Sequence, residues 1–116
     1  MSPRDVQRTF IEAARGGRLV RLTEAGSRTR LAEPYMVFRT SAGKTLLHMY
    51  QLEGYSSHGK PRDWKNAEPA RFVAAEVVDT PYSPRPDYNP LNRTMFPRVL
   101  YAAPNANGKQ RAPDAE

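Results

Sequence analysis

The sequence contains no cysteine, so disulfides and thiolate metal sites are excluded and the redox compartment is left unmarked. Histidine is scarce as well. His48 and His58 are the only two, and neither stands at metal-ligand spacing from another histidine or an acid. No apolar run approaches the roughly 20 residues needed to span a membrane. The opening Met1-Ser2-Pro3-Arg4-Asp5 lacks the apolar region of a secretory signal. Nucleophile elbow, phosphate loop and dinucleotide fingerprint are all missing. Gly16-Gly17 precedes a strand pattern rather than a helix, so it is no phosphate cradle. These absences lead to the expectation of a cytoplasmic, non-enzymatic chain without metal, cofactor or membrane partner. His58, in the polar loop Ser56-Ser57-His58-Gly59-Lys60, is the one side chain to test for acid–base work.

What is present is one domain's worth of chain and a lopsided charge. The 116 residues allow a single core-bearing domain. The net charge is +6, and residues 1–65 hold 12 of the 18 basic residues against 6 of the 12 acids. That part therefore carries the whole excess, which favours an anionic partner through long-range attraction.

Ser2, Pro3 and Asp5 form a helix start, and Val6, Phe10, Ile11 and Ala14 repeat on one helical face until Gly16-Gly17 stops it. Strand patterns follow at Arg18–Leu22, at Arg28–Leu31 continuing through Tyr35–Thr40, and at Thr45–Leu52. Pro34 marks an edge, a bulge or a break. Ser41-Ala42-Gly43-Lys44 signals a hairpin. In Thr45–Leu52, Leu46, His48 and Tyr50 share one face and Leu47, Met49 and Gln51 the other. Residues 53–63 read as a polar loop, and 71–79 as a further strand with Phe72, Ala74 and Val78 inward. Seven of the eleven prolines lie beyond position 80, which argues against regular sheet there, although Leu91–Tyr101 could add a last short element.

The fold expected is mainly β: a small, strongly bent β-barrel with an N-terminal α-helix and an extended C-terminal segment. Residues 1–79 make the helix and barrel. Residues 80–103 form an extended proline-rich segment, with Tyr82, Tyr88, Phe96 and Tyr101 packing it onto the barrel or a neighbouring subunit. Residues 104–116 read as a disordered tail.

The binding signal lies in cations placed on or beside strands: Arg28, Arg30, Arg39, Lys65 and Arg71. Arginine's planar fork suits phosphate and carboxylate. Tyr35, Tyr50, Tyr55 and Trp64 add aromatic surface in the same region, a combination used by single-stranded nucleic-acid binders. The bland alternatives are that Tyr50 and Trp64 are core residues and that strand arginines keep an edge soluble. The candidate ligand-binding residues are thus Arg28, Arg30, Arg39, Tyr50, His58, Lys65 and Arg71. The rival function is a protein-interaction or oligomerisation module, using an edge strand or the stretch Pro81–Pro90.

Gly17-Arg18-Leu19-Val20 looks like a Gly-Arg-x-Val strand opening, and Arg30 to Pro34 like an Arg-x-x-x-Pro pattern. With Thr45-Leu46-Leu47 standing where a Trp-Tyr-Leu strand would lie, residues from about Phe10 to Pro90 resemble the WYL domain. Only Leu47 of the naming triad is retained. The family's later Arg-x-Phe-x-Leu-x-Arg-Ile pattern falls on Lys65–Phe72, where Ala67 and Pro69 replace larger apolar residues. The resemblance implies a small Sm-like or SH3-like β-barrel of bacterial regulators that senses nucleic acids or other anionic ligands in transcription regulation. No helix-turn-helix, the usual companion of that domain, fits this chain.

Overall fold

Ser2 closes a capping box at the start of the N-terminal helix. Its hydroxyl accepts from the Asp5 amide at 3.1 Å, and its own amide donates to the Asp5 carboxylate at 3.1 Å. In the computed structural model, which describes residues 1–56, 59–60 and 62–114, this helix, α1, spans Pro3–Gly16. Gly17 ends it in the left-handed region at φ 63° and turns the chain into the sheet. Six strands follow: β1 (Arg18–Glu24), β2 (Thr29–Arg39), β3 (Thr45–Gly54), β4 (Asp63–Ala67), β5 (Phe72–Pro81) and β6 (Arg98–Ala102). A 3-10 turn, Pro69–Arg71, links β4 to β5. Among the described residues no helix is long and apolar enough to cross a membrane.

All pairings are antiparallel, in the order β4-β3-β2-β1-β5. β2 has two partners along one side: β1 at Thr29–Ala32, then β6 at Met36–Arg39. Pro34 sits in the interval where the partner changes, and the β2–β3 register slips between Pro34 and Met36. A residue without an N–H is tolerated at such a bulge. β4 and β5 end the sheet and do not pair with each other, so the sheet is mainly β in content but not closed.

Each face of the sheet has its own cover. On one, Val6 and Phe10 of α1 bury against Val20, Leu22, Val37 and Leu47. On the other, Tyr88 and Phe96 of the proline-rich segment bury against Tyr35, Met36 and Phe38. Each such ring stabilises the fold by roughly 1.5–3 kcal/mol. The alternation on β3 follows the pattern in the sequence, with Leu47, Met49 and Gln51 toward α1 and His48 toward the proline-rich segment.

Three local expectations need correction. Residues 63–67, assigned partly to a loop, form β4, and the stretch Lys65–Phe72 is divided between β4, the 3-10 turn and β5 because Pro69 cannot continue a ladder. In β5 the inward residue after Phe72 is Ala75, not Ala74. Val73 is an extra residue, since Glu24 pairs with Phe72 and Thr23 with Ala74. The last short element that residues 91–101 could add forms as β6, on the side of β2 that β1 leaves open. The tail expected to be disordered packs as far as Asp114. Arg111 is 3 % exposed, donates to the Phe96 carbonyl at 2.6 Å and pairs with Asp114 at 2.9 Å.

Candidate anion-binding site

The unpaired edges of the sheet define the site. A cleft of about 340 Å³ lies between β4 and the 3-10 turn, lined by Arg30, Lys60, Asp63, Trp64, Lys65 and Arg71, with Ser56 and Asn66 at its margin. Small-molecule sites commonly occupy about 300–1,000 Å³. Three candidate cations from distant parts of the chain meet here: Arg30 from β2, Lys65 from β4 and Arg71 from the turn.

Arg30 is 4 % exposed. Its Nη2 and Nε donate to Glu24 Oε1 at 2.6 and 3.2 Å, and its guanidinium lies 5.6 Å from the Phe72 ring centroid. Arg71 Nε reaches the same Glu24 oxygen at 3.3 Å, while its side chain remains 44 % exposed. One carboxylate thus holds two guanidiniums, leaving an uncancelled positive charge whose outer donors face the cleft. Lys65 Nζ donates to Ser56 Oγ at 3.1 Å, which directs the ammonium along the same wall. Lys60 stands exposed at the rim. The arrangement can receive a phosphate or carboxylate by charge-assisted hydrogen bonds.

Trp64 forms a wall whose position is fixed from behind. Its ring stacks on His48 at 4.9 Å with a 6° interplanar angle, and its indole N–H donates to Asp87 Oδ2 at 2.9 Å. His48 Nδ1 is 2.7 Å from Asn66 Oδ1. Burial pushes the His48 imidazole below its usual range, with the Asn66 hydrogen bond opposing the shift.

The other candidate residues are elsewhere. Arg28 stacks on Tyr55, 4.3 Å from the ring centroid, at the end of β2 beside Arg30. Arg39 lies at the far end of β2 and lines separate depressions with Arg98 and with Arg4. Tyr50 pairs with Trp64 across β3 and β4, its ring 5.4 Å from the indole but outside the cleft's lining, and the Arg85 guanidinium covers it at 3.6 Å. Arg85 also makes a bidentate pair with Glu33, at 2.9 and 3.1 Å. His58 lies outside the described residues. Glu24, Lys60 and Asn66 were not singled out in the sequence. Glu24 is visible there only as the acid that ends β1, and its role depends on the hairpin that folds Arg30 back beside it. Among the described residues no three potential metal-ligating side chains come together. No protein-family model, curated protein or solved structure matches this chain.

Proposed function

We propose that the protein is a non-enzymatic regulatory or sensing module whose cleft binds a phosphate-bearing ligand, a nucleotide or single-stranded nucleic acid. The observation that carries this reading is the meeting of Arg30, Lys65 and Arg71 in one cleft at the open seam of the sheet, with Trp64 as an aromatic wall. The reading of the fold as a strongly bent, partly open small barrel of the WYL-like, Sm-like or SH3-like kind is supported by an antiparallel six-stranded sheet whose end strands β4 and β5 remain unpaired with each other.

The test is titration of labelled single-stranded oligonucleotides across a salt series with wild type and Lys65→Ala/Arg71→Ala. Arg30 is left intact because it is buried against Glu24. Affinity falls as salt rises, since phosphate contacts release counterions, and the double variant binds more weakly at every salt concentration. Absence of binding at low salt, or equal binding by the variant, refutes the reading.

A second reading rests on β5. Its outer edge carries exposed Val73 and Val77, and among the described strands it pairs only with β1. Such an edge accepts a strand from another chain. The proline-rich segment offers less to a partner, because Tyr88 and Phe96 are buried in its own domain. Light scattering on wild type and Val73→Lys/Val77→Lys distinguishes the cases: wild type that stays monomeric at all concentrations and captures no strand peptide removes this second reading.

A further inference from the structure

The cleft does not end at the seam. A second depression, at Lys44 and Ala70, shares Asn66 and Arg71 with it. A third, at Arg39 and Pro69, shares Glu68 and Ala70 with the second. A fourth, along α1 and floored by Ile11, shares Arg4 and Gln7 with the third. Depressions that share lining residues lie side by side, so a row of them, a track, leads from the sheet edge across the 3-10 turn onto the helix.

Its charge is one-sided. The seam contributes Arg30, Lys60, Lys65 and Arg71, and the second depression adds Lys44. Arg4 and Arg39 come from the third, Arg8 and Arg15 from the fourth. Against these nine cations stand three lining acids, Asp63, Glu68 and Glu12, and two that pair with the cations themselves, Glu24 with Arg30 and Arg71 and Asp5 with Arg8, a difference of +4. The whole chain has a net charge of +6, so the track carries a large share of the excess. On α1 the spacing is regular. At about 100° and 1.5 Å per residue, Arg4, Arg8 and Arg15 fall within an arc of about 40° over a length of about 16 Å. All three are exposed.

We infer that the track binds an extended strand of nucleic acid, with α1 holding phosphates several nucleotides away from the seam. This rests on the reading of the cleft given above and extends it from a single anion to a polymer. A path laid over a sheet edge, a turn and a helix suits a flexible single strand better than a duplex, whose persistence length is about 50 nm. Six of the nine track cations are arginines, which suit phosphate geometry, and Trp64 adds aromatic surface to the lining of the seam.

The experiment compares labelled oligothymidylates of about 3 and about 20 nucleotides, bracketing the site sizes of about 4–16 nucleotides seen for small single-strand binding folds. Proteins are wild type, Arg4→Gln/Arg8→Gln/Arg15→Gln, and Arg4→Gln/Arg8→Gln, which leaves the contact of Arg15 with Tyr101 in place. Circular dichroism melts verify folding. Wild type binds the long oligomer at least about tenfold more tightly than the short one, with a steeper salt dependence. The triple variant lowers the magnitude of the log–log salt slope for the long oligomer by about 2, at about 0.7 per lost phosphate contact. Its affinity for the short oligomer changes less than about twofold, and the double variant shows a proportionate part of the effect. Equal affinity for both lengths, an unchanged slope in the triple variant, or equal binding of a poly-glutamate of matched charge overturns the inference while short-oligomer binding at the seam leaves the cleft reading intact. Loss of binding for both lengths in wild type sinks the cleft reading itself.

Discussion

Arg85→Ala tests how the proline-rich segment is held. Glu33 is buried within β2, its side chain 8 % exposed, and two side chains address it with three donors. Arg85 Nε and Nη2 donate to its two oxygens at 2.9 and 3.1 Å, and the Tyr35 hydroxyl donates at 2.8 Å. Removing the guanidinium leaves a buried carboxylate with one donor. Breaking a buried pair by deleting one partner costs about 3–5 kcal/mol. Because the Arg85 side chain is 30 % exposed and water can replace part of it, the lower end applies, about 3 kcal/mol. Loss of the stack on Tyr50 acts in the same direction. With a urea m-value of about 2 kcal/mol per molar, the midpoint falls by about 1.5 M. The companion Glu33→Gln/Arg85→Ala removes the stranded charge and recovers a large part of the loss, a coupling that a double-mutant cycle measures. A midpoint shift in Arg85→Ala below about 0.3 M, or no recovery in the double variant, refutes the account of a buried carboxylate held by its partner.

Two further outcomes follow from single residues. Gly54 adopts φ 110°, and a Cβ there would lie 2.2 Å from the Thr29 carbonyl oxygen, so Gly54→Ala costs more than about 1 kcal/mol and lowers Tm by more than about 4 °C; an unchanged Tm contradicts the close approach. His48 titrates below its usual value because it is buried, so below about pH 6.5 the unfolded chain binds more protons than the folded one. Stability therefore falls as pH drops from about 6.5 toward the lowered folded value, and His48→Phe flattens that part of the profile. Urea midpoints at stepped pH check this, and identical profiles for the two proteins contradict it.

Most of the fold's local pieces were legible because short-range physics dictates them. Ser2, Pro3 and Asp5 specify a helix start, and the alternation from Leu46 to Gln51 specifies a two-faced strand. What escaped depends on pairings that periodicity does not encode. Asp63-Trp64-Lys65-Asn66-Ala67 has too few β-branched residues to announce a strand, and it becomes one because β3 offers a ladder from Leu47 to Gln51. The bulge at Val73 shifts inward facing from Ala74 to Ala75, a one-residue event invisible to an alternation rule. Composition suggested disorder after Pro104, yet Arg111 alone finds carbonyls of Phe96 and Pro97 and the Asp114 carboxylate. In the site, Arg30, Lys65 and Arg71 stood out as strand cations. That Arg39 lies elsewhere follows from the length of β2, which places it at the other end of the strand, while β3 sets Tyr50 beside Trp64 rather than in the cleft itself. The stripe Arg4, Arg8 and Arg15 was present at helical spacing but became meaningful only once the depressions joined it to the seam.

The divided pairing of β2 has a consequence for the chain as it is made. Met36–Arg39 gains its second neighbour only when Arg98–Ala102 arrives, and 59 positions separate Arg39 from Arg98. At ribosomal speeds of about 5–20 residues per second, that interval lasts roughly 3–12 s. Through it, the segment Tyr35-Met36-Val37-Phe38 presents an apolar, uncharged strand edge with no ladder on one side. Such an edge is a template for pairing with another nascent chain. β6 therefore covers late an edge laid down near the middle of the chain, as well as serving as a structural strand.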